Sequence, residues 1–321
     1  MMVIDRDIAR AADILRQGGT VAFPTETVYG LGADASSDRA VAKIFAAKQR
    51  PQFNPLIVHV PDLAAAETLG RFDETARKLA VAFWPGPLTI VVPRREGCPI
   101  SMLASAGLPS IAIRVPRHPT AQALLRESGL PLAAPSANRS GRISPTAPEH
   151  VAKSLGEAVD MILTGGICEV GLESTIVSCL GDGPGLLRPG GVPREAIEAI
   201  LGQPLAQAAP DPERPQAPGQ LVSHYAPRAR LRLDAVKPAA SEAWLSFGEH
   251  EVAASPITRN LSPSGDLVEA AANLFRYLHE LDASGVEVIA VAPVPRNGLG
   301  EAINDRLRRA AAPRQAAQSE G

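Results

Sequence analysis

Aromatic residues are scarce in this chain: Phe, Trp and Tyr make up 4% of 321 residues. A surface that stacks single-stranded bases needs more of them. A positive balance is also missing. Thirty-two Lys and Arg against 34 Asp and Glu leave a formal charge of −2. That counts against a general nucleic-acid surface and leaves room only for a local basic pocket. Cysteine is limited to Cys98, Cys168 and Cys179. The odd number and the lack of a C-x-x-C pair support neither a zinc knuckle nor a disulfide framework, and suit thiols in a reducing cytosol. No apolar run approaches the roughly 20 residues of a membrane span. The N-terminus, with Asp5, Arg6 and Asp7, lacks the apolar core of a secretion signal. A cytoplasmic protein with no membrane partner is expected.

What is present is an ordinary α/β pattern. Hydrophobic residues reach 45%, enough for a soluble core, and the length suggests two domains. Ile8, Ala11, Ala12 and Leu15 recur at helical spacing before Gly18-Gly19. Asp38 is expected to N-cap a second helix that ends near Lys48 and Arg50. Further helices are expected near residues 73–83, 118–127 and 194–201. Strands are expected at 20–23, 56–60, 88–92, 111–115, 132–134, 161–163 and 175–178. Helices and strands interleave, and some connections are too short for a βαβ crossover. The sheet should therefore be twisted and mixed, with flanking helices. From Gln203 to Gly219 the chain turns rich in Pro, Ala and Gln, as an extended linker would. Strands at 230–233, 243–247 and 288–292, a long helix capped by Asp266 and a helix over 300–309 then form a smaller domain. The expected division is 1–202 for the main domain, 203–228 for the linker, 229–312 for the small domain and 313–321 for a disordered tail.

Short polar signatures sit at the ends of the expected strands. Pro24-Thr25-Glu26-Thr27-Val28-Tyr29-Gly30-Leu31-Gly32 reads as a loop with three hydrogen-bonding side chains where sheet ligands dock. Lys48 and Arg50 at a helix end would alone be dipole-complementing cations. With Arg114 and Arg188, also at element ends, they suggest a polyanion pocket. There is no G-x-x-x-x-G-K-[ST] loop, so a nucleotide would have to be held by dispersed side chains. Ser136 and Asn138 lie in a Pro-flanked loop without the Gly-x-Ser-x-Gly elbow, so Ser136 reads as a hydrogen-bonding group rather than a nucleophile. His59 closes a strand, and no other His stands at metal-ligand spacing. His224-Tyr225-Ala226-Pro227 ends the linker, and two readings are open: the segment docks the linker, or it closes the linker over the pocket.

Taken in order, these motifs together with Asn54-Pro55-Leu56-Ile57-Val58-His59, Trp84-Pro85-Gly86-Pro87-Leu88-Thr89, Glu173-Ser174-Thr175-Ile176-Val177 and Arg188-Pro189-Gly190 resemble the YrdC-like family of threonylcarbamoyl-AMP synthases in its longer two-domain form. The resemblance implies a YrdC-like main domain and a Rossmann-like C-terminal domain. It implies a nucleotidyltransferase that joins L-threonine, bicarbonate or CO2 and ATP, releases pyrophosphate and feeds t6A modification of tRNA through downstream transferase machinery. It implies threonine contacts at Thr27, His59, Arg114, Ala134 and Ser174. It places ATP contacts at Arg50, Asn54, Ser110, Ser136, Ser144, Arg188, His224 and Tyr225, and a catalytic set at Lys48, Arg50, Ser136 and Asn138. Mg2+ is expected on the ATP phosphates, with no protein-bound metal. Two rivals remain: an RNA-binding module without catalysis, which salt titration would expose, and a carbamoyl transferase of the hydrogenase-maturation type, whose zinc-binding cysteine clusters this chain lacks.

Overall fold

Runs of β-branched and small apolar residues build a large sheet in the computed structural model, which describes residues 3–51, 54–181, 183–207, 223–249 and 255–313. The first half of the chain forms β1 (Val3–Asp5), α1 (Ile8–Arg16), β2 (Val21–Phe23), β3 (Gly30–Asp34), α2 (Asp38–Lys48), β4 (Ile57–His59), α3 (Leu63–Leu69), α4 (Glu74–Phe83), β5 (Leu88–Pro93), β6 (Ser110–Arg114) and α5 (Pro119–Ser128). There follow β7 (Leu132–Ala133), α6 (Pro148–Leu155), β8 (Met161–Leu163), β9 (Thr175–Ser178), β10 (Gly185–Arg188), α7 (Arg194–Leu201) and β11 (Ala206–Gln207). The strands join in one mixed 11-stranded sheet, β1-β8-β2-β3-β7-β4-β6-β5-β9-β10-β11.

The two faces of this sheet are covered unequally. Alternate residues point to opposite faces. One face carries Leu31, Val58, Ile90, Val92, Ile113 and Ile162, packed under Ile44 of α2, Leu69 of α3, Leu79 of α4, Val151 of α6 and Ile197 of α7. On the other face, α1 and α5 cover only Val21, Phe23, Leu132, Ala134, Met161 and Leu163. Beyond them Ile57, Val91, Ala112, Ile176 and Leu187 form a separate apolar floor across β4, β6, β5, β9 and β10. Among the described residues, no helix of this domain contributes to that floor, and the loops gather around it.

The sequence reading differs from the structure in specific places. Gly30, Leu31 and Gly32, read as loop, open β3 and pair with β2, Phe23 lying opposite Gly30. The cap of α2 is Ser37, whose hydroxyl accepts from the Ala40 amide, while Asp38 lies in the first turn. Ala206–Gln207, assigned to the linker, pairs in parallel with β10. The rest of the Pro-rich stretch, 208–222, and the expected tail from 314 lie outside the described residues.

The small domain has a parallel sheet, β12 (Arg230–Arg232), β13 (Ala243–Ser246), β14 (Thr258–Asn260) and β15 (Val288–Val291), in the order β12-β15-β13-β14. Helices α8 (Leu267–Ala283) and α9 (Leu299–Ala311) pack beside it. Asp266 caps α8 by accepting from the amides of Val268 and Glu269. The small domain's core also takes in Val28, Ile143 and Leu172 from loops of the main domain and Tyr225 from the end of the linker. Gly171, at φ +70°, lies so close to α8 that a Cβ there would stand 2.5 Å from the Ala271 carbonyl oxygen. Among the described residues, no helix is long and apolar enough to cross a membrane.

Candidate active site

A cleft of about 540 Å3, open mouth included, lies over the uncovered part of the sheet, with Ile57 in its lining. Its first end is built by the β2–β3 turn. The Arg114 guanidinium donates to Thr27 Oγ1 at 2.9 Å, the two threonine hydroxyls of Thr25 and Thr27 are 2.7 Å apart, and Thr25 donates to the Val28 carbonyl at 2.7 Å. The protons therefore run one way, from Arg114 through Thr27 to Thr25. Arg114 also pairs with Glu26 at 2.7 Å, both side chains being buried. The second Glu26 oxygen accepts the amides of Arg117 and His118. Burial pushes the Glu26 carboxyl up, but the charge and hydrogen bond of Arg114 outweigh it and hold the group below the usual carboxylate range. His59 stands beside this pair. Burial, then Arg114, lowers its pKa to about 3, so the ring is neutral. Its Nδ1 is buried without a hydrogen-bond partner.

The second end is cationic. Arg50 follows the left-handed Gln49 that closes α2. It donates to the carbonyls of Asn54 (3.3 Å) and Pro55 (3.0 Å). Burial lowers its pKa to about 10, and Arg188 adds to the shift. Arg188 ends β10 and donates to the Ser174 carbonyl at 2.8 Å and to Ser174 Oγ at 3.2 Å. Ser174 Oγ also lies 2.7 Å from the Thr89 hydroxyl. Glu173 accepts from Ser144 Oγ at 2.5 Å and from Arg306 Nε at 2.8 Å. Burial raises the Glu173 carboxyl, but Arg306 and then Arg188 bring it below its usual range. His224 sits among Arg50, Lys48, Arg188 and Arg306. Burial first, then these four cations, holds its imidazole well below the ordinary value. The carboxylates of the cluster are Glu173 and Asp305, the latter bonded to Arg306 at 2.7 Å. Three guanidinium groups against two carboxylates in a buried space, with the Lys48 amine behind them held well below its ordinary value by burial and then by Arg50, leave a positive surplus that an anion would meet.

Of the residues singled out in the sequence, Thr27, Arg50, His59, Arg114, Ala134, Ser136, Ser174, Arg188, His224 and Tyr225 line this one cleft. Five do not line it. Lys48 donates through Nζ to the carbonyls of Ser136 and Asn138, 2.5 Å each, so it braces the Ser136 loop. Asn138 Nδ2 donates to the carbonyls of Arg139 and Arg142, 2.9 Å each, and shapes the same loop. Ser144 is buried against Glu173. The Asn54 amide is buried with neither of its polar atoms bonded. Ser110 opens β6 on the same face as Arg114, about 13 Å away along the strand.

Other residues of the site escaped the sequence reading. Thr25 and Glu173 were visible inside the motifs, but the partners that give them a role lie far along the chain. Arg306 is 133 residues beyond Glu173 and carried no local signal. Tyr225 adopts a left-handed backbone, φ +63°, unusual for a bulky side chain and frequent at functional sites. Its ring packs on His224 (4.1 Å between centroids) and Phe275 (5.6 Å). Among the described residues, no group of three or more His, Cys, Asp or Glu side chains could hold a metal ion.

Residues 13–190 match the Sua5, YciO and YrdC family, described as telomere recombination, and residues 192–312 match the C-terminal domain of threonylcarbamoyl-AMP synthase. The chain belongs to this family, in its two-domain form. Threonylcarbamoyl-AMP synthase of Bacillus subtilis is 42% identical, the match covering 96% of this chain and 93% of the relative. That of Pyrococcus abyssi is 41% identical over 94% and 92%. The crystal structure of P. abyssi Sua5 complexed with L-threonine superposes with a TM-score of 0.87 and 36% identity, covering 97% of each chain. A P. abyssi Sua5 variant with a His-Tyr pair replaced by alanines superposes equally well, at a TM-score of 0.87. In this synthase-family chain, the cleft is thus lined by the main domain and by His224 and Tyr225, and the small domain reaches its wall from behind through Arg306 on Glu173.

Proposed function

We propose that this chain is a nucleotidyltransferase that makes L-threonylcarbamoyladenylate from L-threonine, bicarbonate or CO2 and ATP, releasing pyrophosphate. The observation that carries the reading is the polarity of the cleft. A buried Arg114–Glu26 pair with threonine hydroxyls forms one end, and Arg50 and Arg188, with Lys48 and Arg306 behind them, form the other. The first end offers the Arg114 guanidinium to the carboxylate of an amino acid, and the hydroxyls of Thr25 and Thr27 to its polar groups, while Glu26, behind the lining, holds Arg114 in place. The second offers guanidinium groups to phosphates. Relatives across bacteria and archaea bear the synthase name, and a close structural relative is described with L-threonine.

The chemistry needs no enzyme nucleophile. The unprotonated threonine nitrogen attacks CO2, releasing a proton to solvent, or bicarbonate, releasing water, to give an N-carboxylate. A carboxylate oxygen then attacks the α-phosphorus, and the bond from that phosphorus to the α,β-bridging oxygen breaks, so that the β- and γ-phosphates leave together as pyrophosphate. Both steps bring anions together, so alignment and positive charge are what the protein must supply. Arg50 and Arg188 face the cleft for that purpose, and Lys48 fixes the loop that presents Ser136. His59, with a pKa near 3, orients by hydrogen bonding and is a poor proton acceptor at neutral pH. Among the described residues, the carboxylate lining the cleft is Glu173, already engaged by Ser144 and Arg306. Protein ligands for Mg2+ are therefore poorly provided, which favours an ion carried in on the ATP phosphates, where it neutralises their charge. The carbamate decomposes in water, so closure by the His224-Tyr225 segment has a purpose. The product would pass to cytoplasmic machinery that installs t6A on tRNA.

The test is incubation of the purified protein with ATP, L-threonine and labelled bicarbonate. Label should enter an AMP-linked product, and pyrophosphate should appear only when both threonine and bicarbonate are present. Equal pyrophosphate release without threonine would overturn the proposal.

A further inference from the structure

We infer that Arg306, on the last helix of the small domain, is a positioning residue for the nucleotide end of the cleft, acting by holding the Glu173 carboxylate away from the phosphate-binding cations. The inference rests on the proposed function and deepens it.

Arg306 belongs to α9, yet its side chain has no solvent exposure. It crosses the domain boundary to reach the cleft wall. Nε donates to Glu173 at 2.8 Å, Nη1 donates to Asp305 at 2.7 Å, and the guanidinium carbon lies 5.1 Å from the centre of the Tyr225 ring. Asp305 is in turn held by Arg309 at 3.0 Å, and the Arg309 carbonyl accepts the His224 amide at 3.2 Å. One turn of α9 therefore fixes a wall carboxylate, an aromatic face and the backbone of the His-Tyr segment.

Glu173 has reason to move if released. It lines the cleft, and Arg188 is among the charges that act on it. A buried carboxylate that loses its partner seeks another cation. The cations within reach are those proposed to take the phosphates, so a freed Glu173 would compete with ATP for them. The threonine end is insulated from this, because Arg114 has its own carboxylate, Glu26.

The test measures ATP and L-threonine affinity by calorimetry, and the KM for ATP, on full-length protein. Wild type binding neither ligand would overturn the proposed function itself, separately from this inference. With wild type binding both, Arg306→Met should weaken ATP more than tenfold while threonine affinity stays within twofold. Arg306→Met combined with Glu173→Gln removes the freed charge and should return ATP affinity to within about threefold of wild type. Should Arg306→Met fail to fold, Arg306→Lys takes its place, with ATP about threefold weaker and threonine unchanged. Unchanged ATP affinity in the folded single variant, parallel loss of both ligands, or no rescue by Glu173→Gln would each overturn the inference. A purely structural role would weaken both ligands together and would not be rescued by neutralising the carboxylate.

Discussion

At the residue scale, Lys48 and Arg50 stand two positions apart and have different work. Arg50 lines the cleft and, among the described residues, forms no ion pair, its bonds going to backbone carbonyls. Arg50→Met should cost about 3 kcal/mol of transition-state stabilisation, roughly 100-fold in kcat/KM. It should leave thermal stability equal or higher, since a buried cation held beside Arg188 is removed. Lys48 holds two loop carbonyls, so Lys48→Met should lower both turnover and stability, the latter by about 2 kcal/mol, read by urea unfolding. Equal stability effects in the two variants would contradict this division. A second expectation concerns pH. His59 and His279 have pKa values lowered to about 3, by burial and then by Arg114 and His150 respectively, and His224 is lowered well below its usual range. Below the unfolded value of about 6.5 the unfolded chain binds protons that the native one refuses. Stability should therefore fall as pH drops from 6.5 towards 3, by about 2 kcal/mol at pH 5 for each of His59 and His279, with His224 adding in the same direction. Flat urea midpoints between pH 7 and pH 5 would show that the rings titrate normally. Finally, a Cβ on Gly190 would stand 2.3 Å from the Glu173 carbonyl oxygen and 2.4 Å from the Thr175 nitrogen. Gly190→Ala should displace the Glu173–Thr175 segment and depress both melting temperature and turnover.

At the element scale, the main strands and helices were legible because apolar periodicity and caps mark them. Two kinds of feature were not. β3 opens with Gly-Leu-Gly, which has little strand propensity. Its glycines make sense only beside Phe23, whose ring lies 2.7 Å from where a Gly32 Cβ would be. The site was legible as a set of motifs, and most of its lining was named from them. Its charge pairing was not, because Arg114–Glu26 and Arg306–Glu173 join residues 88 and 133 positions apart. Spacing along a strand can show which face a residue takes but not which ion it meets. α2 offers a test at this scale. It ends on Gln49 at φ +51°, a conformation that suits glycine. Gln49→Gly should raise stability by up to about 1 kcal/mol, measurable as a higher melting temperature. A fall would mean the glutamine side chain contributes more than its backbone costs.

At the scale of the whole molecule, the two domains are not independent modules. Val28, Ile143 and Leu172 bury themselves in the small domain's core. His279 of α8 stacks on His150 of α6, 3.9 Å between centroids, and lies 3.1 Å from the Ser144 carbonyl. Arg194 and Glu301 add an ion pair at 2.7 Å. Truncation after Leu201 removes Arg306, His224 and Tyr225 together and bares those three apolar side chains. The fragment should retain the threonine end yet melt lower, bind a hydrophobic dye and release almost no pyrophosphate. A fragment as stable and as fast as the whole chain would mean that the small domain is a passenger.

The shared core also sets an order of events during synthesis. The main domain's apolar loops are complete long before α9 leaves the ribosome. The roughly 110 residues between take about 5–20 s to add at ordinary elongation rates. Throughout that interval the nascent chain carries Val28, Ile143 and Leu172 without their cover, and a carboxylate at position 173 without its guanidinium. A stalled or slowly translated message would thus present a half-built cleft to chaperones and proteases until α9 emerges to complete it.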